Sequence, residues 1–298
     1  MSSMHPDVTD WLLEVTQKMS RDPRVNHVHF DHEADCPITI IRNDYVLKAR
    51  AAGCDFLLMV DSDQSPNKHK TEPWFKPFWE TSFEYALQHY DRGPLVIGAP
   101  YCGPPGDVGE NVYVFHFENF GVHGDETNFK LEQYPRAMAA QLTGIQECAA
   151  LPTGMILIDM RIFEMIEPSQ KSKRQVLEEF KDGKIGIATA LREITEGWFY
   201  YEWENGYAAK KASTEDVTFT RDVAIAGMHK LGYNPLRCNW DCWIGHLKPY
   251  NVGKPRPYGV EHVGNVLMRA AQEGANYTEE KLVQFEASPK TLRLLGLP

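Results

Sequence analysis

Residues 53–64 read GCDFLLMVDSDQ, and this stretch constrains the chain more than any other. Phe56 to Val60 are continuously apolar, and the run ends abruptly in Asp61-Ser62-Asp63. A short, unbroken apolar run bounded by polar residues reads as a strand buried on both faces. Such a strand needs helices on each side of its sheet, which points to an α/β fold. The same stretch places two carboxylates at the strand's carboxyl end, where open α/β sheets bind ligands. In an extended segment, side chains at i and i+2 share a face, so Asp61 and Asp63 could address one cation. Hard oxygen ligands suit Mg²⁺ or Mn²⁺ that already carries phosphate oxygens. Against this stands a plainer reading, because Asp and Ser are also favoured in turns. For a lone D-x-D the turn is the stronger reading.

The flanking pattern supports the fold class. Val8, Trp11, Leu12, Val15 and Met19 follow helical spacing and predict a helix over residues 8–20, stopped by Asp22-Pro23. A short strand is expected at 25–30 and a second helix at 42–52, closed by Gly53. After the buried strand come an aromatic-rich helix over 74–90, a buried strand at 95–99 and a Pro/Gly loop at 100–106. Strands are expected at 111–117, 155–158 and, with many aromatics, 197–203. Helices are expected at 161–166 and 215–230, and extended chain at 142–150 and 233–243. Residues 169–196 read as a charged insertion or flap, and 250–258 as a Pro/Gly loop leading into a tail of amphipathic helices. Alternation of strands and helices predicts a mostly parallel sheet with helices on both faces.

Composition narrows the partners. The 298-residue chain carries a formal charge of −10, which works against non-specific attraction to nucleic acid or anionic membrane. Only a local patch at Lys248, Lys254 and Arg256 runs the other way. No apolar run approaches the roughly 18 residues needed to span a bilayer, and the N-terminus lacks the pattern of a signal peptide. The 6 scattered cysteines read as reduced thiols. Together these place the chain in the cytoplasm.

Four blocks then occur in one order. IRNDYVLKARAAGCDFLLMVDSDQSP joins an Arg-Asn at a helix start to the buried strand and its acids. ALPTGMILIDMRIF carries a glycine into a strand. ASTEDVTFTRDVAIAGM sets Glu-Asp at the start of a helix. CNWDCWIGHLKP brings a late Gly-His. In this order the blocks resemble the GT-A glycosyltransferases of the family-2 type, over roughly residues 40–248. The resemblance implies a GT-A-like mixed, mostly parallel sheet flanked by helices, in one catalytic domain over 1–250. Within it, 1–135 would form the nucleotide-sugar half and 136–250 the acceptor half, with the helical tail 251–298 packed on the domain. It implies a metal-dependent transfer of a sugar from a nucleotide donor, a UDP-sugar above all, to a hydroxyl acceptor, by inverting displacement. The acceptor class stays open among glycan, protein, small molecule and modified nucleic-acid base.

Roles follow residue by residue. Asp63 is the expected direct ligand of Mn²⁺ or Mg²⁺. Asp61 joins it, or instead serves the ribose or a metal-bound water. His246 matches the family's late metal position. Asp216 matches the base that takes the acceptor's proton, and Glu215 binds the acceptor or supports Asp216. Acids at a helix start also interact favourably with the macrodipole without any catalytic role. Gly154 permits either a positive-φ turn or close approach of a ligand. Arg42 either salt-bridges a sheet-end acid or pairs with nucleotide-sugar groups. Lys248 would counter the diphosphate charge. The aromatics of 197–203 are core or an acceptor platform, core being the stronger reading. The family's usual first strand, which grips the base, is not found ahead of Val8. Either the start is truncated, another segment replaces it, or base binding is degraded.

Three alternatives compete. One is a nucleotidyltransferase or other phosphoryl-transfer enzyme, which also sets acids on metal and phosphate. Another is a GT-A-like binding module without catalysis. The third is a zinc site at Cys238, Cys242 and His246, whose spacing of four would share a face on a helix.

Overall fold

In the computed structural model, the residues described are 6–32, 38–106, 109–118, 130–166, 168, 181–184, 197–200, 202–203 and 211–246. All belong to the unit Met1–Lys248. The expected flap over 169–196 apart from 181–184, the loop at 250–258 and the helical tail lie outside the described residues.

The elements run in chain order as α1 Pro6–Arg21, α2 Ile38–Ala51, β1 Phe56–Val60, β2 Gln64–Ser65, α3 Phe78–His89, β3 Val96–Gly98, β4 Cys102–Gly106, β5 Gly109–Val112, β6 Phe115–Phe117 and β7 Leu131–Gln133. They continue as α4 Arg136–Ala139, β8 Ile145–Glu147, β9 Met155–Asp159, α5 Ile162–Met165, β10 Glu202–Trp203, β11 Lys211–Ser213, α6 Glu215–Lys230, β12 Leu236–Asn239 and β13 Gly245–His246.

One five-stranded sheet, ordered β1-β9-β3-β12-β8, carries the fold. Its apolar runs alternate between two cores. Ile156 and Ile158 of β9 join Met59, Val96 and Leu236 beneath α2, α5 and α6, whose Val46, Ala49, Ile162, Phe163, Phe219 and Val223 complete that core. Met155 and Leu157 point the other way, into a core built with Ile97 and Ala99 and with Trp11, Val15, Phe78, Trp79 and Phe83 of α1 and α3. This is the period-two alternation of a strand covered on both faces. It explains why the runs are continuously apolar.

The expected α/β architecture with helices on both faces is present, but the sheet is mixed, not mostly parallel. β9 pairs antiparallel with both β1 and β3, and β8 pairs antiparallel with β12. The only parallel neighbours in this sheet are β3 and β12. A strand buried on both faces has the same composition whichever way it runs, so MILID could not announce its reversal. The reversal leaves one consequence intact: β1, β3 and β12 all point the same way, and their carboxyl ends share one edge with the start of β9.

Local departures have local causes. The helix expected from residue 74 begins at Phe78, because Pro77 lacks an N–H and biases its neighbour away from helix. Residues 25–30 carry no strand assignment. The aromatic run keeps strand only at Glu202–Trp203. α2 does end at Gly53, whose φ of 65° closes it with Cys54 N–H to Ala49 O (3.0 Å) and Gly53 N–H to Arg50 O (3.0 Å). That pair of bonds is a Schellman closure. Among the described residues, no helix is long and apolar enough to cross a membrane.

Candidate functional site

The shared edge collects the charged residues singled out by the sequence. Asp61 leaves β1 with its N–H donating to Gly154 O (2.9 Å), which fixes its backbone against the start of β9. α6 is docked by Thr220 against Leu151, in the segment that leads into β9. The Thr220 hydroxyl donates to Leu151 O (2.9 Å) and accepts from Leu151 N–H (3.1 Å). This brings Glu215 and Asp216, the first residues of α6, to the edge. Thr214 occupies the N-cap position with extended backbone but makes no side-chain capping bond. Asp216 Oδ1 accepts the N–H of Val217 (2.8 Å) instead.

Arg42 links the two segments from α2. It is only 4% exposed. Nη1 donates to Glu215 Oε1 (2.7 Å), and Nη2 donates to both oxygens of Asp61 (3.1 Å each). Burial works against its charge, but Asp61, Glu215 and Asp216 outweigh burial and hold the guanidinium protonated. For Asp61 the balance runs the other way. Burial pushes its carboxyl above the usual range, Arg42 offsets part of that, and the charges of Asp63 and Asp216 add to it. Three carboxylates therefore face one guanidinium, Asp63 lies close to Asp61, and the edge carries excess negative charge.

Asp63 has a different partner set. Asp61-Ser62-Asp63 is a turn, with Gln64 N–H donating to Asp61 O (3.2 Å), so the strand rule for i and i+2 does not hold there. Asp61 goes to Arg42, while Asp63 Oδ2 meets His246 Nε2 at 3.2 Å. Antiparallel pairing of β13 with β2 places His246 directly opposite Gln64. The His246 side chain is 10% exposed and that of Asp63 44%. The turn and the site are thus the same residues. Of the three expected metal ligands, Asp63 and His246 stand together and Asp61 is held by Arg42. Among the described residues no group of three or more His, Cys, Asp or Glu forms a ready-made metal cluster.

The Asp63 carboxylate is a hard oxygen donor of the kind Mn²⁺ or Mg²⁺ takes, with phosphate oxygens and water able to complete the shell, and His246 adds one nitrogen donor. The excess carboxylate charge beside them favours a cation. Asp63 and His246 are the residues of this edge that could hold a divalent ion.

Gly154 is not among the positive-φ glycines. Its missing side chain leaves room for two neighbours. A Cβ there would lie 2.6 Å from Tyr101 Cε1 and 2.8 Å from Gln64 Nε2. Tyr101 in turn meets the His246 ring edge-on at 4.8 Å. Burial, then the nearby charges of Asp216 and Asp61, hold its hydroxyl well above the usual phenol range. Gln64 and Tyr101 are site residues that the sequence reading missed. Gln64 directly follows the acid pair, but its full burial, which marks it as a site residue, shows only in the structure.

Other expectations sort cleanly. Trp198 and Phe199 are core, 8% and 1% exposed, in line with the stronger reading of the aromatic run. Cys238 belongs to the core beneath α6 and Cys242 to the core beneath α3, so the two thiols lie on opposite faces of the sheet and share no site with His246. Lys248, Lys254 and Arg256 lie outside the described residues.

No family model matches the chain, and no curated protein matches it. A solved structure described as "Crystal Structure of A197 from STIV" is similar at 12% identity with a TM-score of 0.37, covering 87% of this chain and 95% of its own.

Proposed function

We propose that this protein is a divalent-cation-dependent glycosyltransferase that moves a sugar from a nucleotide donor, a UDP-sugar above all, to a hydroxyl acceptor. The observation that carries the reading is the carboxylate-rich sheet edge, where one guanidinium is shared by Asp61, Glu215 and Asp216 and a separate Asp63–His246 pair stands ready for a cation. Two buried atoms there, Gln64 Oε1 and His246 Nδ1, have no partner among the described residues. Buried polar atoms without partners call for an explanation, and the hydroxyls of a ligand, which both donate and accept, would supply partners for them.

Asp63 and His246 would hold Mn²⁺ or Mg²⁺, which would supply positive charge against the departing nucleoside diphosphate. Asp216 accepts the proton of the acceptor hydroxyl as that oxygen bonds to the anomeric carbon, and the bond from that carbon to the diphosphate oxygen breaks. Glu215 is engaged by Arg42, so it supports Asp216 instead of sharing its task. Arg42 is a structural cation of the site, bound to Asp61 and Glu215.

The test is a thermal-shift screen of nucleoside diphosphates and nucleotide sugars with and without Mn²⁺. Stabilisation that needs both ion and nucleotide, and that disappears in Asp63→Ala, supports the reading. Equal stabilisation of wild type and Asp63→Ala removes the cation assignment. Asp216→Asn should keep donor binding while turnover falls by about 100- to 10,000-fold. Release of pyrophosphate in place of a nucleoside diphosphate would replace sugar transfer with nucleotidyl transfer.

A further inference from the structure

The Asp63–His246 pair is built on a supporting layer to which the sequence reading assigned no role. Each carboxylate oxygen of Asp63 has its own holder: Gln64 Nε2 donates to Oδ1 at 3.3 Å, and His246 Nε2 meets Oδ2 at 3.2 Å. A carboxylate only accepts, so the Gln64 amide must present its nitrogen there and His246 its Nε2–H. Gln64 is 0% exposed. Its amide lies over the bare Cα of Gly154, beside the Tyr101 ring that packs edge-on against His246. β2 and β13 lock the backbones of Gln64 and His246 opposite one another.

We infer that Gln64 is a positioning residue: seated on Gly154, it fixes the Asp63 carboxylate in the orientation that a divalent cation requires. Asp63 sits in a turn and its side chain is 44% exposed, so nothing in a strand ladder sets its rotamer. The amide of Gln64, with the His246 ring on the other oxygen, holds it. Outer groups that orient a metal's ligands matter nearly as much as the ligands themselves. Gly154 is a glycine because any side chain would displace the Gln64 amide or the Tyr101 ring. The inference rests on the cation reading above, and the experiment separates the two.

Mn²⁺ affinity is measured by electron paramagnetic resonance on wild type, Asp63→Ala, Gln64→Met and Gly154→Ala, each first checked for native circular dichroism. Methionine keeps the length of glutamine and removes the donor. Asp63→Ala should abolish specific binding. Gln64→Met should weaken it by about 10- to 100-fold, and Gly154→Ala should do the same from the other side of the contact. Unchanged affinity in Gln64→Met, with binding lost in Asp63→Ala, overturns the positioning role and leaves the cation reading intact. A second readout needs no cation. Long-range ¹⁵N–¹H correlation at fixed pH should find the wild-type His246 proton on Nε2, moving toward Nδ1 in Gln64→Met as Asp63 turns away. If wild type binds no Mn²⁺ but the tautomer moves, the cation reading falls, and with it the purpose given to Gln64, while its hold on the Asp63 carboxylate stands. If neither changes, both fall.

Discussion

At residue scale, Arg42 shows what a buried arginine does that a lysine cannot. Its fork spans two elements, with one nitrogen on Glu215 and the other on both oxygens of Asp61. A lysine ammonium is a point charge on a flexible stem and cannot bridge both partners with matched geometry. Removing the guanidinium leaves two largely buried carboxylates without their cation. Breaking a buried ion pair by deleting one partner costs about 3–5 kcal/mol. Arg42→Met should therefore lower the unfolding free energy by about that amount in urea denaturation, with Arg42→Lys falling between it and wild type. A loss under about 1 kcal/mol in Arg42→Met, the range of a surface pair, would mean that the acids are not held by this residue. The sequence left Arg42 open between a sheet-end acid and a nucleotide-sugar group. The choice depended on Glu215, 173 positions away, which no local pattern reports.

At the scale of elements, α2 delivers Arg42 and its neighbour Asn43 to different tasks. Asn43 Oδ1 accepts the N–H groups of Trp198 (2.7 Å) and Phe199 (3.1 Å), and Nδ2 donates to Thr39 O (2.8 Å) and Phe199 O (2.9 Å). One side-chain amide thus replaces the ladder that a strand would have given these buried residues. This is why 197–200 looks like a strand in composition but is not one. A run of aromatics reports burial, while its backbone partner here is a side chain. Asn43→Ala should destabilise by about 3–5 kcal/mol, since several buried groups at about 1–3 kcal/mol each lose their partner. Amide exchange at Trp198 and Phe199 should accelerate more than at Val96 in the sheet centre; equal acceleration throughout would show that the clamp is not local. The same logic marks what the sequence could reveal. Phe56 to Val60, the Schellman stop at Gly53 and the helix at 215–230 were legible because period, caps and composition agree within each segment. The direction of β9, the parting of Asp61 from Asp63 and the role of Gln64 were not, because each is settled by a contact with a distant segment.

At the scale of the molecule, the formal charge of −10 is not spread evenly: the sheet edge sets Asp61, Glu215 and Asp216 around one guanidinium, with Asp63 close to Asp61. Folding therefore raises the proton affinity of Asp61, chiefly through burial. Between its unfolded value, about 3.9, and its raised folded value, the native state binds more protons than the unfolded state. The contribution of Asp61 to stability is thus fully present below the unfolded value and is lost as pH rises through the folded one. Acids elsewhere behave oppositely, as at Glu14 and Asp31, where hydrogen bonds from Lys18 and Lys48 hold the carboxyl below the usual range. They cancel when wild type is compared with Asp61→Asn. In metal-free protein, the unfolding free energy of wild type minus that of Asp61→Asn should fall as pH rises through this window and then level off. Saturating Mn²⁺ supplies the missing positive charge, so it should flatten that fall. It should also stabilise wild type by about 2.7 kcal/mol at 100 times its dissociation constant. Urea denaturation across pH, with chelator and then with Mn²⁺, measures both effects. A difference that rises with pH would show that Arg42 dominates Asp61 after all, and that the edge has no charge left for a cation to neutralise.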